Sequence, residues 1–68
     1  MIIKNIFFDY YNKNEYEKGF GQITFHDECY EKIDVINLNI RKNEFKSIYL
    51  AFKECSDKNK IFWEEHNQ

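Results

Sequence analysis

Ile33-Asp34-Val35-Ile36-Asn37-Leu38-Asn39-Ile40, followed without a break by Arg41-Lys42-Asn43-Glu44-Phe45-Lys46-Ser47-Ile48-Tyr49-Leu50-Ala51-Phe52-Lys53-Glu54-Cys55, is the stretch whose reading decides the fold. In its first part apolar residues alternate with polar ones, as in a strand with one buried face. In its second part Phe45, Ile48, Phe52 and Cys55 recur at helical spacing. The hydrophobic period changes only once in the chain, and everything before Ile40 keeps the strand rhythm. A small sheet carrying one helix is therefore expected.

Within this stretch Ile36, Leu38 and Ile40 keep one phase while Ile33 and Val35 keep the opposite one, which predicts a β-bulge near Val35. Asn43 is the predicted N-cap. Glu44 in the first turn and Lys53 in the last suit the helix dipole, and the helix should end near Ser56 or Asp57. Upstream, a first strand is expected over Ile2–Tyr10, with Ile2, Ile6, Phe8 and Tyr10 on the core face. The polar stretch Tyr11–Lys18 then serves as a hairpin connection. A second strand, Phe20–His26, directs Ile23 and Phe25 inward and Phe20, Gln22 and Thr24 outward, with Gly21 read as a bulge. Asp27–Glu31 reads as an acidic turn. Downstream, Lys60–Glu64 reads as a short fourth strand on the sheet edge or against the helix, with a frayed tail from Glu65. The expected fold class is α+β in a single domain, residues 1–68. It comprises a small antiparallel sheet of three strands, one C-terminal amphipathic helix packed on one face, and a short fourth strand, in the order β-β-β-α-β.

A chain of 68 residues buries only about 60% of its unfolded surface, so its core is thin. Aromatic residues nevertheless make up 19% of it, more than a thin core needs, and this points to a second interface. The net charge of −2 disfavours affinity built on neutralising phosphates. Residues 1–40 carry four Lys against seven acids and residues 41–68 six basic residues against five acids, so the sheet is acidic and the helix basic. No apolar run approaches a membrane span, and the Met1-Ile2-Ile3-Lys4 start is unlike a signal peptide. A cytoplasmic protein is expected, with Cys29 and Cys55 kept as thiols. The abundance of Lys, Asn, Ile, Phe and Tyr, with no Pro, suits an AT-rich bacterial or phage gene.

One helix of about 14 residues, roughly 21 Å long, covers one face of such a sheet and leaves the other bare. The bare face is expected to carry Ile3, Phe7, Phe20 and Ile33 or Val35, the kind of apolar patch that marks an interface. Leu50 lies about 160° from the helix stripe and should also point outward. A homodimer that stacks sheets or joins edge strands is the first expectation for this surface, and capture of a different protein the second.

Lys18-Gly19-Phe20-Gly21-Gln22-Ile23-Thr24-Phe25 resembles the ribonucleoprotein motif of RNA-recognition domains and the Lys-Gly-Phe-Gly segment of cold-shock domains. The resemblance implies base stacking on Phe20, Phe25 and Phe7, with Lys18 on the backbone. It covers eight residues. In RNA-recognition domains the motif follows a helix, whereas here it precedes the helix, and Gln22 stands at an aromatic position. A Gly-rich strand start carrying Phe20 for packing is the reading adopted. The passage from strand to helix through Ile36–Asn39 and Glu44-Phe45 also resembles small single-stranded-DNA-binding folds of the transcription-coactivator type, a generic pattern from which no residue is carried over.

His26 and Cys29 with Cys55 and His66 supply the ligand types of a zinc site, but the second pair lacks ligand spacing, and Cys55 is better read as part of the helix stripe. No metal and no cofactor are expected. Phosphate loops, nucleophile elbows and Ser-His-Asp arrangements are absent from the sequence, and an enzyme is not expected. The expected function is that of a small non-enzymatic protein-binding module, of the kind phages and mobile elements make to occlude a basic nucleic-acid-binding surface of a defence or DNA-processing protein. Its contacts would be Phe7, Phe20, Val35 and Leu50 as apolar anchors, with Glu15, Glu17, Asp27, Glu28 and Glu31 mimicking phosphate charge. The alternative is a small dimeric single-stranded nucleic-acid-binding or regulatory protein, with Arg41, Lys42, Lys46 and Lys53 as its basic side.

Overall fold

The structure is a computed structural model and describes residues 3–12 and 14–66. Five elements follow in the order β1 (Asn5–Tyr11), β2 (Lys18–His26), β3 (Lys32–Arg41), α1 (Lys42–Cys55) and β4 (Lys60–His66). The expected α+β arrangement holds, with all four strands in one sheet ordered β3-β2-β1-β4. The sheet is mixed: β2 runs antiparallel to β1 and β3, while β4 runs parallel to β1. The helix is the reason. It starts where β3 ends and carries the chain back along the sheet, so β4 must leave in the direction of β3, which is also that of β1.

β4 continues past Glu64 to His66, so Glu65 and His66 belong to the sheet and are not a frayed tail. The first strand begins later than its apolar run suggested, at Asn5, and Ile2 lies outside the described residues. The bulge falls at Ile33, between the pairs Phe25↔Asp34 and His26↔Lys32, rather than near Val35, and the ladder passes Gly21 without a break. Arg41, not Asn43, is the N-cap. Its N–H donates to the Glu44 carboxylate at 3.2 Å, which closes half of a capping box. Cys55, expected in the buried stripe, is exposed at the helix end.

Ile6, Phe8, Tyr10, Ile23, Phe25 and Phe45 form the buried core, flanked by Leu38, Ile40, Ile48, Tyr49, Phe52, Ile61 and Trp63 among others. Phe8 sits at its centre, edge-on to Phe45, Tyr49 and Phe52 at centroid distances of 5.7, 5.3 and 5.5 Å, the preferred aromatic geometry. Gly19 and Gly21 face the helix from β2. A Cβ on Gly21 would come within 2.6 Å of the Phe45 ring, and one on Gly19 within 2.7 Å of the Tyr10 hydroxyl. The glycines are there for space, and neither marks a bulge. Gly21→Ala should therefore cost about 1–3 kcal/mol in urea unfolding, and less when combined with Phe45→Leu, which withdraws the ring edge.

The Tyr10 hydroxyl donates to the Ile40 carbonyl at 3.4 Å. Burial pushes its pKa up, against the pull of the Lys42 cation and with the help of Glu65. The Lys42 ammonium is also held above its ordinary value, first by its hydrogen bond to Glu65. Both groups hold their protons more tightly in the folded chain. Their stabilisation is complete below the unfolded-state pKa values of about 10 and is lost as pH rises through the folded ones. The thermal midpoint should hold up to about pH 10 and fall above it. Tyr10→Phe, which has no phenolic proton to lose, should keep more of its neutral-pH midpoint there than the wild type.

Candidate protein interface

The sheet face away from α1 is uncovered, and strand pairing sets its residues in rows. Phe62, Phe7, Thr24 and Val35 are cross-strand neighbours in the first row, Glu64, Asp9, Gln22 and Asn37 in the next, and His66, Tyr11, Phe20 and Asn39 in the third. Alternate residues on a strand lie roughly 6.5–7 Å apart, so a polar row with two carboxylates runs between two aromatic ones.

The aromatic rows are tightly organised. Phe7 stacks on Phe62 at 4.7 Å and 12° and takes the His26 ring edge-on at 4.9 Å; Tyr11 stacks on His66 at 4.6 Å and 13° and tilts against Phe20. Phe20 and Phe62 remain 46% and 40% exposed, which is unusual for side chains so costly to hydrate. Across the middle row Gln22 donates to Asn37 at 3.0 Å. The His66 Nε2 lies 3.4 Å from Asp9 and 3.8 Å from Glu64. Burial, and then the Asp9 and Glu64 carboxylates, push the Tyr11 hydroxyl pKa up.

Among the described residues, Asp9, Glu64 and His66 are also the group whose ligand atoms converge, all within 4.8 Å. Ligands bonded tetrahedrally to zinc at about 2.1 Å are roughly 3.4 Å apart, so Glu64 would have to close in. His26, Cys29, Cys55 and His66 do not converge, and His26 Nδ1 instead pairs with the Tyr30 carbonyl at 3.0 Å.

Phe7, Phe20 and Val35 do share this face. Leu50, 47% exposed, is on the helix and so on the opposite side of the sheet. The acidic residues do not form one surface. Glu15 and Glu17 lie in the β1–β2 connection at one end of the sheet, and Asp27, Glu28 and Glu31 in the β2–β3 turn at the other. Glu15 is paired with Lys42 at 3.4 Å. Asp27 serves its own turn, where its Oδ1 accepts from the N–H groups of Cys29 and Glu31 at 2.9 Å each while Tyr30 takes φ 61°. Thr24, expected outside, is buried on the outer face between its strand neighbours.

Tyr11, Phe62, Asp9, Glu64 and His66 are the face's additional members. Inward Ile61 and Trp63 imply outward Phe62 and Glu64 by alternation, but only the parallel pairing with β1 sets Glu64 beside Asp9. The chain matches no family model, no curated protein and no solved structure. Because Phe20 and Phe62 are only partly covered, Phe20→Ser and Phe62→Ser should each lower the urea unfolding free energy by about 1–2 kcal/mol, mainly through their lost stacking partners. Phe8→Ala should cost about 3–5 kcal/mol. Equal losses would mean that the outer face is packed.

Proposed function

We propose that this protein is a small non-enzymatic binding module that holds another protein on the outer face of its sheet, through a basic side chain laid across Asp9 and Glu64. One observation carries the reading: a carboxylate pair set between two rows of partly exposed aromatic rings on an uncovered face. A guanidinium between those rows would donate charge-assisted hydrogen bonds to the carboxylates and lie against aromatic faces, two contacts that Arg makes better than Lys. The aromatic rows supply the buried area that hot spots need, and the carboxylates supply register.

On this reading the partner is a nucleic-acid-binding protein, whose phosphate-binding groove offers Arg and Lys at high density. The module occludes that groove, as an inhibitor from a phage or another mobile element would. Its setting is the cytoplasm, where the exposed Cys29 and Cys55 remain thiols; among the described residues no helix is long and apolar enough to cross a membrane. The same carboxylates oppose the alternative of nucleic acid stacked on this face, because they repel phosphate.

An isolated guanidinium should bind only in the millimolar range, within reach of an NMR titration. Adding N-acetyl-arginine amide to 15N-labelled protein should shift the amides of Phe7, Asp9, Tyr11 and Glu64, and Asp9→Asn should abolish the shifts. An oligothymidine should cause none at low salt. Arginine without effect, or oligothymidine shifting Phe7 and Phe20, would overturn the proposal, the latter in favour of a nucleic-acid binder.

A further inference from the structure

Asp9, Glu64 and His66 meet on the outer face because two paired strands place them there. Glu64 and His66 are alternate residues of β4 and project from the same side, while the parallel pairing sets Asp9 of β1 beside Glu64 and Tyr11 beside His66. The Tyr11 ring, stacked on the imidazole at 4.6 Å and 13°, fixes the plane of that ring. In this pose a single nitrogen, His66 Nε2, faces both carboxylates, with Asp9 Oδ1 at 3.4 Å and Glu64 Oε2 at 3.8 Å. One N–H cannot donate in both directions, and both separations exceed the roughly 2.7–2.9 Å of a charge-assisted hydrogen bond. Among the described residues no Lys or Arg forms an ion pair with Asp9 or Glu64. Two carboxylates thus converge on one imidazole nitrogen with no basic side chain between them.

We infer that this triangle is a binding site for a divalent metal ion of the zinc class, with Asp9 Oδ1, Glu64 Oε2 and His66 Nε2 as its ligands. Ligand atoms around a tetrahedral zinc lie roughly 3.4 Å apart, the separation that Asp9 and His66 already have. The edges that involve Glu64 are longer, but none exceeds 4.8 Å, and its 71% exposed side chain has room to swing inward. The donor set selects the ion. Two carboxylates cancel the charge of a divalent cation, and the imidazole supplies the nitrogen that zinc accepts and that magnesium and calcium, which bind through oxygen, do not favour. Asp9, only 20% exposed, stands on the central strand β1, so backbone pairing and not a loop holds the ligands in place. Three protein ligands leave a fourth tetrahedral position for water from the uncovered face. The site does not need the proposed arginine contact, but it uses the same carboxylates. Zinc and a partner's guanidinium therefore exclude each other, a consequence that rests on that reading.

Zinc chloride titrated into the whole chain, first stripped with a chelator, at about 100 μM, a concentration suited to a micromolar site, tests it by calorimetry and by 15N spectra of the imidazoles. The expected result is one zinc per chain, a shifted Nε2 resonance of His66, and no such shift with magnesium at the same concentration. Asp9→Asn, Glu64→Gln and His66→Ala should each raise the zinc dissociation constant at least about tenfold, and Cys29→Ser should leave it unchanged. If His66→Ala alters the circular dichroism, Asp9→Asn and the His66 resonance decide. An absence of zinc binding overturns the inference, and so does binding that survives in Asp9→Asn and His66→Ala but is lost on Cys29→Ser. Added to the zinc-loaded protein, N-acetyl-arginine amide should no longer shift the Asp9 and Glu64 amides; shifts that persist would overturn the exclusion. Zinc bound by a protein that ignores arginine when metal-free would remove the arginine reading and keep the metal site, and arginine bound by a protein that ignores zinc would do the reverse.

Discussion

The Phe45 ring lies against the bare backbone of Gly21, and the rest of the structure depends on that contact. A single helix on a four-stranded sheet has few points at which to bury apolar area, and its most enclosed side chain must come close to do so. Phe45 is the one fully buried residue of α1, and it reaches Phe8, Tyr10 and Trp63 from that position. The alternation of Gly19 and Gly21 with Phe20 is thereby explained. The inward positions of β2 are emptied to admit Tyr10 and Phe45, and the outward position between them keeps its ring. The two glycines of a pattern that resembles a nucleic-acid motif thus make room for core side chains in this fold, while its Phe20 stays half exposed on the outer face.

That contact also sets the helix's path, and the path determines the outer face. α1 covers the centre of the sheet and returns the chain to the end where β3 began, so β4 enters beside β1 in the parallel sense. Parallel pairing places Asp9 next to Glu64 and Tyr11 next to His66, which creates the carboxylate row between aromatic rows. A shift of one residue in β4 would have sent Phe62 and Glu64 to the helix side. The make-up of the outer face is thus a consequence of register as much as of composition. Covering only the centre also leaves the outer margin of β3 open, where Ile36 is only partly sheltered.

The charge distribution shows how a charged surface can be misplaced by sequence reading. Seven acids in the first forty residues suggest a single acidic surface, but the strands separate them: β2 alone, nine residues long, spans roughly 30 Å between the turn at Asp27 and the connection holding Glu15 and Glu17. Asp27 is committed to its own turn, and Glu15 to Lys42, which also bonds Glu65 at 2.9 Å. The carboxylates left in an aromatic setting are Asp9 and Glu64, 55 positions apart in the chain.

By itself the sequence determined the element types and the two faces of β1 and β2, because alternation and helical spacing are local consequences of where each backbone geometry points its side chains. It also implied a sheet with one bare face, since one amphipathic stripe cannot cover two. Only the tertiary structure decided the partner and direction of β4, the place of the bulge, the true N-cap and the grouping of Asp9, Glu64 and His66. These are set by how α1 crosses the sheet, which follows from the close approach of Phe45 to Gly21. Residues far apart in the chain, with no spacing between them to read, become neighbours through that crossing.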